Sequence, residues 1–355
     1  IVFADYARTW STNNVIIDSN GLNFQGDPDT YTVDYSTAGQ SLNIVYSDAT
    51  KGWLPVSDDA VADVGVAPTI QKAIFGYGKD GSNFSLTNLV NSSGVVAADV
   101  TGVGSARNNL AASSYGGDKA IFGYGRTDTQ VSMTNLVNNS GVVAADVTGV
   151  GTVRQSLAAA SYGGDKAIFG YGTDTSLTNL VSNTGVVSAD VTGVGTARND
   201  VAAASYGGDK AIFGYGYFYS GGVINYSLTN KVSNSGVVAS NTTGVGTARY
   251  LLAATGYGGD KAIFGFGTTG SLTGVTNLVS NTGVVASNTS AVGTARKGLA
   301  AASYGGDKAI FGYGTTGSVT AITNLVNSSG VVASNVSGVG TAREKPAAAG
   351  YSFSA

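Results

Sequence analysis

Lys166-Ala167-Ile168-Phe169-Gly170-Tyr171-Gly172 is the stretch whose reading decides the fold, because the chain repeats it. The same string starts at Lys72, Lys119, Lys210 and Lys308, and at Lys261 with Phe266 in place of the tyrosine. The six copies stand 47, 47, 44, 51 and 47 residues apart. A second string, Gly-Val-Gly-(Thr/Ser)-(Ala/Val)-Arg, ends at Arg107, Arg154, Arg198, Arg249, Arg296 and Arg343, with Ala291 for its first glycine in the fifth copy. Self-similarity at a fixed period marks a repeat architecture, so the unit has to be read before anything else.

Each unit predicts four short strands separated by turn residues. The first is small and apolar, Leu157-Ala158-Ala159-Ala160-Ser161-Tyr162, and the turn Gly163-Gly164-Asp165 follows it. That turn suits a tight hairpin, since glycine reaches positive φ without steric cost. The second strand is expected from Lys166 to Gly172 and the third at Thr178-Asn179-Leu180-Val181-Ser182. After the turn Asn183-Thr184-Gly185, the fourth is expected at Val186-Val187-Ser188-Ala189. No segment carries a capped 3.6-residue apolar period, so essentially no helix is expected. Four strands per unit, six times over, predict an all-β chain folded as a six-bladed β-propeller with four-stranded blades. The alanine-rich strand fits the crowded innermost position, and the Phe and Tyr of the second strand fit packing between adjacent blades. The first unit, beginning at Lys72, has no good alanine-rich strand before it. The last such strand, from Ala347 to Phe353, has no unit after it. The C-terminal strand is therefore expected to complete the first blade from the inside and close the ring.

An arginine ahead of the innermost strand, the apolar run, and an aromatic second strand ending Gly-Tyr-Gly together resemble kelch and galactose-oxidase-type repeats over residues 72–353. The resemblance implies the same six-bladed propeller. It does not bring copper oxidation with it, because the chain has no His and no Cys.

Those two absences narrow the chemistry further. With no Cys, no His and a single Glu (Glu344), the chain offers no disulfide framework, thiolate nucleophile, Cys/His zinc site or imidazole base. Charged residues are 12 % of the 355, and the net charge is −3. No basic stripe exists to neutralise phosphates, so nucleic acid is not an expected partner. No apolar run reaches the length of a membrane helix, and membrane insertion is not expected. A 43 % hydrophobic content supports a packed core despite 53 glycines. The N-terminus, Ile1-Val2-Phe3-Ala4-Asp5, has neither Met nor a signal-peptide pattern, which suggests processing or a longer parent chain.

Residues 1–56 stand outside the repeat. Asn14-Val15-Ile16-Ile17-Asp18, Tyr31-Thr32-Val33-Asp34-Tyr35 and Leu42-Asn43-Ile44-Val45-Tyr46 alternate apolar and polar residues. Between them lie Gly21, Gly26-Asp27-Pro28 and Ser47-Asp48, so a small antiparallel β-domain is expected here, with 57–71 as a linker before the propeller at 72–355. A core this small is marginal alone, so association into a homo-oligomer is expected. The segments Trp10-Ser11-Thr12-Asn13-Asn14-Val15-Ile16-Ile17-Asp18 and Leu42-Asn43-Ile44-Val45-Tyr46-Ser47-Asp48-Ala49-Thr50-Lys51-Gly52-Trp53 resemble small β-domains of tailed-bacteriophage tail-fibre and other virion proteins. The resemblance implies a place on the virion surface, a trimer as the favoured assembly, and other virion subunits and a host cell-surface glycan or protein as partners.

Blade-to-blade variation points to where binding would occur. Between the second-strand Gly and the third-strand Thr-Asn the six loops hold 8, 8, 5, 12, 8 and 8 residues. Strand alternation places these loops on the same face as the Gly-Val-Gly-Thr-Ala-Arg connections, opposite the tight glycine turns. Variable loops on a rigid scaffold are where binding concentrates. The 12-residue loop opens Tyr217-Phe218-Tyr219-Ser220-Gly221-Gly222-Val223-Ile224-Asn225-Tyr226. Its Tyr217, Phe218, Tyr219, Asn225 and Tyr226 are the candidate ligand-binding residues, since sugar faces stack on rings and amides read hydroxyls. The alternative is a loop that folds onto its neighbours or onto a partner subunit.

The six arginines are expected to hydrogen-bond loop carbonyls of an adjacent blade. Asp118, Asp165, Asp209, Asp260 and Asp307 are expected to bond their own turn backbone. Asp99, Asp146 and Asp190 give way to Asn241, Asn288 and Asn335, so a repeated Ca²⁺ site is not expected, nor any other metal or cofactor. A glycosidase needs two carboxylates at a set separation. No unique pair stands out among near-identical units, and no enzyme activity is expected. The leading expectation is a phage fibre or spike that adheres to the host surface. The alternatives are a purely structural virion element, such as a head fibre or decoration protein, and then a polysaccharide depolymerase.

Overall fold

The computed structural model describes residues 1–26, 33–57, 70–290 and 292–352. The chain divides into two compact units, Ile1–Ala67 and Pro68–Ala355. Of the expected linker, residues 58–69 lie outside the described residues, as do Tyr31, Thr32 and Phe353 of two expected strands.

In the first unit the strand Ser41–Asp48 pairs antiparallel with Val2–Ala4 on one side and Gly52–Ser57 on the other. A second pair joins Val15–Ile17 to Val33–Tyr35. Alternation along Ser41–Asp48 buries Leu42 and Ile44, which form the core with Trp10, Phe24 and Tyr35. Asp5 ties the entry loop to this core by accepting the backbone N–H groups of Thr9, Trp10 and Gly39 at 2.9, 3.0 and 3.0 Å.

The second unit is all-β among the described residues and contains six similar three-stranded antiparallel sheets, each with a Lys-Ala-Ile-Phe-Gly strand at its centre, and two two-stranded hairpins, Lys79–Asp80 with Ser82–Asn83 and Tyr217–Tyr219 with Val223–Asn225. The third sheet shows the pattern, with Ala158–Tyr162 and Thr178–Val181 flanking Lys166–Gly170. Gly163 and Gly164 make the connecting turn at φ +61° and +81°, a region only glycine occupies freely. The central strand ends at Gly170, two residues earlier than expected, because Tyr171 adopts φ 66° and turns the chain out of the ladder.

The expected fourth strand does not form in any sheet. In the third sheet it is reduced to two isolated bridges, Val181↔Val187 and Thr178↔Val191. Three steps on one side face four on the other, so one residue is surplus and the ladder breaks between the bridges. The Asn179 side chain fills the gap, its Nδ2 donating to the Ser188 carbonyl at 3.0 Å.

The C-terminal strand Ala347–Tyr351 pairs with Lys72–Gly76, from Ala347↔Gly76 to Tyr351↔Lys72, and supplies the first sheet with its alanine-rich strand. Neighbouring sheets pack through one aromatic pair each. Ring centroids lie 5.1 Å apart for Tyr77–Phe122, 5.2 Å for Tyr124–Phe169 and 5.1 Å for Tyr171–Phe213. They are 5.0 Å apart for Tyr215–Phe264, 5.2 Å for Phe266–Phe311 and 5.1 Å for Tyr313–Phe75. The last pair joins the sixth sheet to the first. The glycine that ends each central strand keeps this contact close, since a Cβ on Gly123 would lie 2.6 Å from Phe169 Cζ. At the opposite end a backbone bond also runs from sheet to sheet. Gly116, Gly163, Gly207 and Gly258 donate to the carbonyls of Asp165, Asp209, Asp260 and Asp307, each at 2.7 Å, while Gly305 donates to Gln71 at 2.9 Å and Ser352 to Asp118 at 2.8 Å.

Candidate functional site

The end of the sheets that carries the variable loops is built on the six arginines. Each is fully buried. Arg107 donates from Nε to the Tyr124 carbonyl at 2.9 Å, from one terminal nitrogen to the Ser105 carbonyl at 3.2 Å, and from the other to Asn135 Oδ1 at 2.7 Å. Tyr124 and Asn135 belong to the sheet that Arg107 leads into, so the expectation of bonds to an adjacent blade is corrected. The neighbour contributes a ring instead, with the guanidinium 4.3 Å from the centroid of Tyr77. A planar fork satisfies three acceptors and still presents a face to an aromatic, which a lysine cannot do. Burial pulls Arg296 down to about 10, which leaves it protonated at neutral pH.

Among the described residues, Asp99, Asp146 and Asp190 do not gather with other carboxylates into a group of three or more. They latch the incoming connection to the sheet. Asp190 accepts the Thr152 hydroxyl at 2.6 Å and its backbone N–H at 3.0 Å, and Asp146 and Asp99 do the same for Ser105 and Thr341. In the other three sheets Asn241, Asn288 and Asn335 keep the latch by donating to Thr196, Thr247 and Thr294 at 2.8, 2.6 and 2.6 Å. Partial burial raises each aspartate, but the hydroxyl and amide donors and the nearby arginine outweigh it, so all three titrate below the ordinary carboxylate range. Their stabilisation is complete above the unfolded pKa of about 4 and is lost as pH falls through the depressed folded values. The triple variant D99N/D146N/D190N is therefore expected to unfold in acid at a lower pH than the wild type while melting similarly at pH 7. An unchanged acid midpoint would remove the latches as a source of acid sensitivity.

Asp118, Asp165 and Asp209 bond their own turn backbone, as expected, and the turn makes further contacts. Asp118 also accepts Lys119 Nζ at 2.6 Å and Asn139 Nδ2 at 3.1 Å. It thus clamps two turns together at the end opposite the variable loops.

The five candidate ligand residues lie on one feature. Tyr217–Tyr219 pairs antiparallel with Val223–Asn225, so the long loop is a hairpin with Ser220-Gly221-Gly222 at its tip. Tyr219, Val223 and Ile224 are exposed, at 62 %, 52 % and 45 %. Phe218 and Tyr226 are half-buried. Tyr217 packs on Tyr250 of the next connection with centroids 4.8 Å apart, and Asn225 donates to the Thr269 carbonyl at 3.3 Å. Two of the five candidates, Tyr217 and Asn225, therefore root the hairpin on its neighbours, as the alternative expectation had it, while Tyr219 stays open to solvent.

Sequence reasoning did not single out the residues two places after each arginine. Asn109, Ser156, Asp200, Leu251, Gly298 and Lys345 all take φ between 48° and 62°. Backbone bonds link five of the six junctions between them: Ser156 to Asn109 at 3.0 Å, Asp200 to Ser156 at 2.9 Å, Gly298 to Leu251 at 2.9 Å, Lys345 to Gly298 at 2.6 Å and Asn109 to Lys345 at 3.3 Å. The signal was present in the six aligned copies, since this position holds a different residue in every one. The hairpin root adjoins it, Tyr217 bridging Asn199. Among known proteins, no family model and no curated sequence matches the chain.

Proposed function

We propose that the second unit is a six-bladed, kelch-like β-propeller, closed by its C-terminal strand, that serves as the host-binding part of a tailed-phage fibre or spike. The observation that carries the binding reading is the hairpin at 217–226. It interrupts an otherwise repeating scaffold with exposed aromatic and β-branched side chains beside amides. Flat apolar rims with adjacent amides suit the faces and hydroxyls of a surface glycan. Adhesion of this kind needs no chemistry: weak contacts per subunit are multiplied by copy number. The small N-terminal β-unit attaches and trimerises the chain in this reading, which places it on the virion surface among other virion subunits.

A purely structural virion role is the second reading, and one observation favours it. Val95, Val142, Val186, Val237, Val284 and Val331 occupy one repeat position and are each at least 61 % exposed. Such an apolar row suits contact with other subunits. Deleting 217–226 in an assembled particle separates the two: host adsorption is expected to fall at least tenfold with particle yield unchanged. Normal adsorption would overturn the adhesion reading. Release of reducing sugar from host polysaccharide would instead support a depolymerase.

A further inference from the structure

The six residues that follow the arginine-plus-one positions, Asn109, Ser156, Asp200, Leu251, Gly298 and Lys345, line an open cavity of about 70 Å³. The next position in each copy also lines it and stays apolar in all six, from Leu110 to Pro346. Conformation is therefore kept in every copy while side-chain chemistry is not. Five of the six variable lining residues are not glycine, yet all adopt left-handed backbone. Such strain costs about 1 kcal/mol or more per residue and persists where the surroundings impose it, often at functional sites. A purely structural plug would be expected to repeat as the adjacent arginine and the apolar lining position repeat.

The charges are arranged with a direction. Asp200 enters the fourth sheet and Lys345 the first, three sheets apart in a cyclic order of six, so they stand on opposite sides of the cavity. No ion pair joins them among the described residues. Asn109 and Ser156 supply polar groups on one arc between them, and Leu251 and Gly298 an apolar arc on the other. Burial raises the Asp200 carboxyl above its ordinary value, against the pull of Ser156, Lys345 and Lys297. A water occupies about 10–15 Å³ on this measure, so the cavity matches a ligand of about five to seven heavy atoms.

We propose that this cavity binds a small zwitterionic group, with Asp200 receiving the ammonium end and Lys345 the carboxylate end. The apolar arc accommodates the methylenes between the two charges, and Asn109 and Ser156 complete the polar contacts. This site is separate from the exposed edge of the hairpin, so its failure leaves the adhesion reading standing.

The test uses the full chain and titrates glycine, β-alanine and γ-aminobutyrate by calorimetry and ligand-observed NMR, with methylammonium and acetate as single-charge probes. At least one amino acid is expected to bind with a Kd of about 1 mM or tighter, and more tightly than either single-charge probe. Asp200→Asn and Lys345→Gln are each expected to weaken that binding about tenfold, the scale of one lost charge-assisted contact. Asp174→Asn, outside the cavity lining, is expected to leave it unchanged. Lys345→Gln preserves a falsifiable arm if Asp200→Asn fails to fold. Equal binding of single-charge probes and amino acids, no binding of any probe, or undiminished binding by a folded variant would overturn the proposal.

Discussion

Removal of residues 347–355 is expected to abolish the cooperative unfolding transition of the second unit. The strand Ala347–Tyr351 provides the whole antiparallel ladder on one side of Lys72–Gly76, and Tyr351 is 2 % exposed within the cluster that joins the first two sheets. Burying one large apolar side chain contributes about 1.5–3 kcal/mol, and each ladder hydrogen bond about 0.5–1.5 kcal/mol net. Their sum is of the order of the whole stability of an ordinary domain, about 5–15 kcal/mol. The exposed Lys-Ala-Ile-Phe-Gly edge would also invite pairing between chains. Calorimetry on the truncated chain should show a broad or absent transition and growth of aggregates. Adding a peptide spanning 345–355 should restore the transition by occupying the vacant edge. A truncated chain that melts like the intact one would show that closure by this strand is dispensable.

The second large effect is expected from Arg107→Ala. Its loss strips the Tyr124 carbonyl, the Ser105 carbonyl and Asn135 Oδ1 of a donor and leaves the Tyr77 ring without its cation. Breaking a buried charged network in this way costs about 3–5 kcal/mol, because the abandoned acceptors stay in a dry interior. For a unit of this size that corresponds to a melting temperature lower by about 10 °C. Arg107→Lys should recover only part of the loss, since an ammonium reaches one acceptor where the fork reaches three. A shift of less than about 2 °C for Arg107→Ala would mean that water or a neighbour takes over the acceptors.

The parts of the fold legible in the sequence are those set by local rules. Gly163-Gly164-Asp165 was readable as a turn because its conformation belongs to glycine itself. The pairing of Ala347–Tyr351 with the first sheet followed from the phase of the repeats at the two ends. The segment at Val186–Ala189 has the apolar character of a strand, and what stops it is an asparagine side chain from the neighbouring strand, a tertiary fact. The arginine partners were misassigned for the same reason, since whether a buried fork turns to its own sheet or to the next is decided by packing. In the long loop, the extra length and the aromatic residues were legible, but the hairpin of Tyr217–Tyr219 with Val223–Asn225, and which of its residues root it, came only with the structure. The cavity residues differ in every copy, and that variety alone did not group them. Asn109, Ser156, Asp200, Leu251, Gly298 and Lys345 look like unrelated loop residues until a shared left-handed backbone groups them.

Glycan-array binding by the purified chain, compared with a variant in which Tyr217 to Leu228 are replaced by the five-residue loop Thr173-Asp174-Thr175-Ser176-Leu177 of the third sheet, tests the adhesion account most directly. The account predicts that the wild type binds a defined subset of bacterial surface glycans, and that the loop exchange weakens this at least tenfold with an unchanged melting temperature. Equal binding by the folded exchange variant, or cleavage of the glycan on the array, would contradict it.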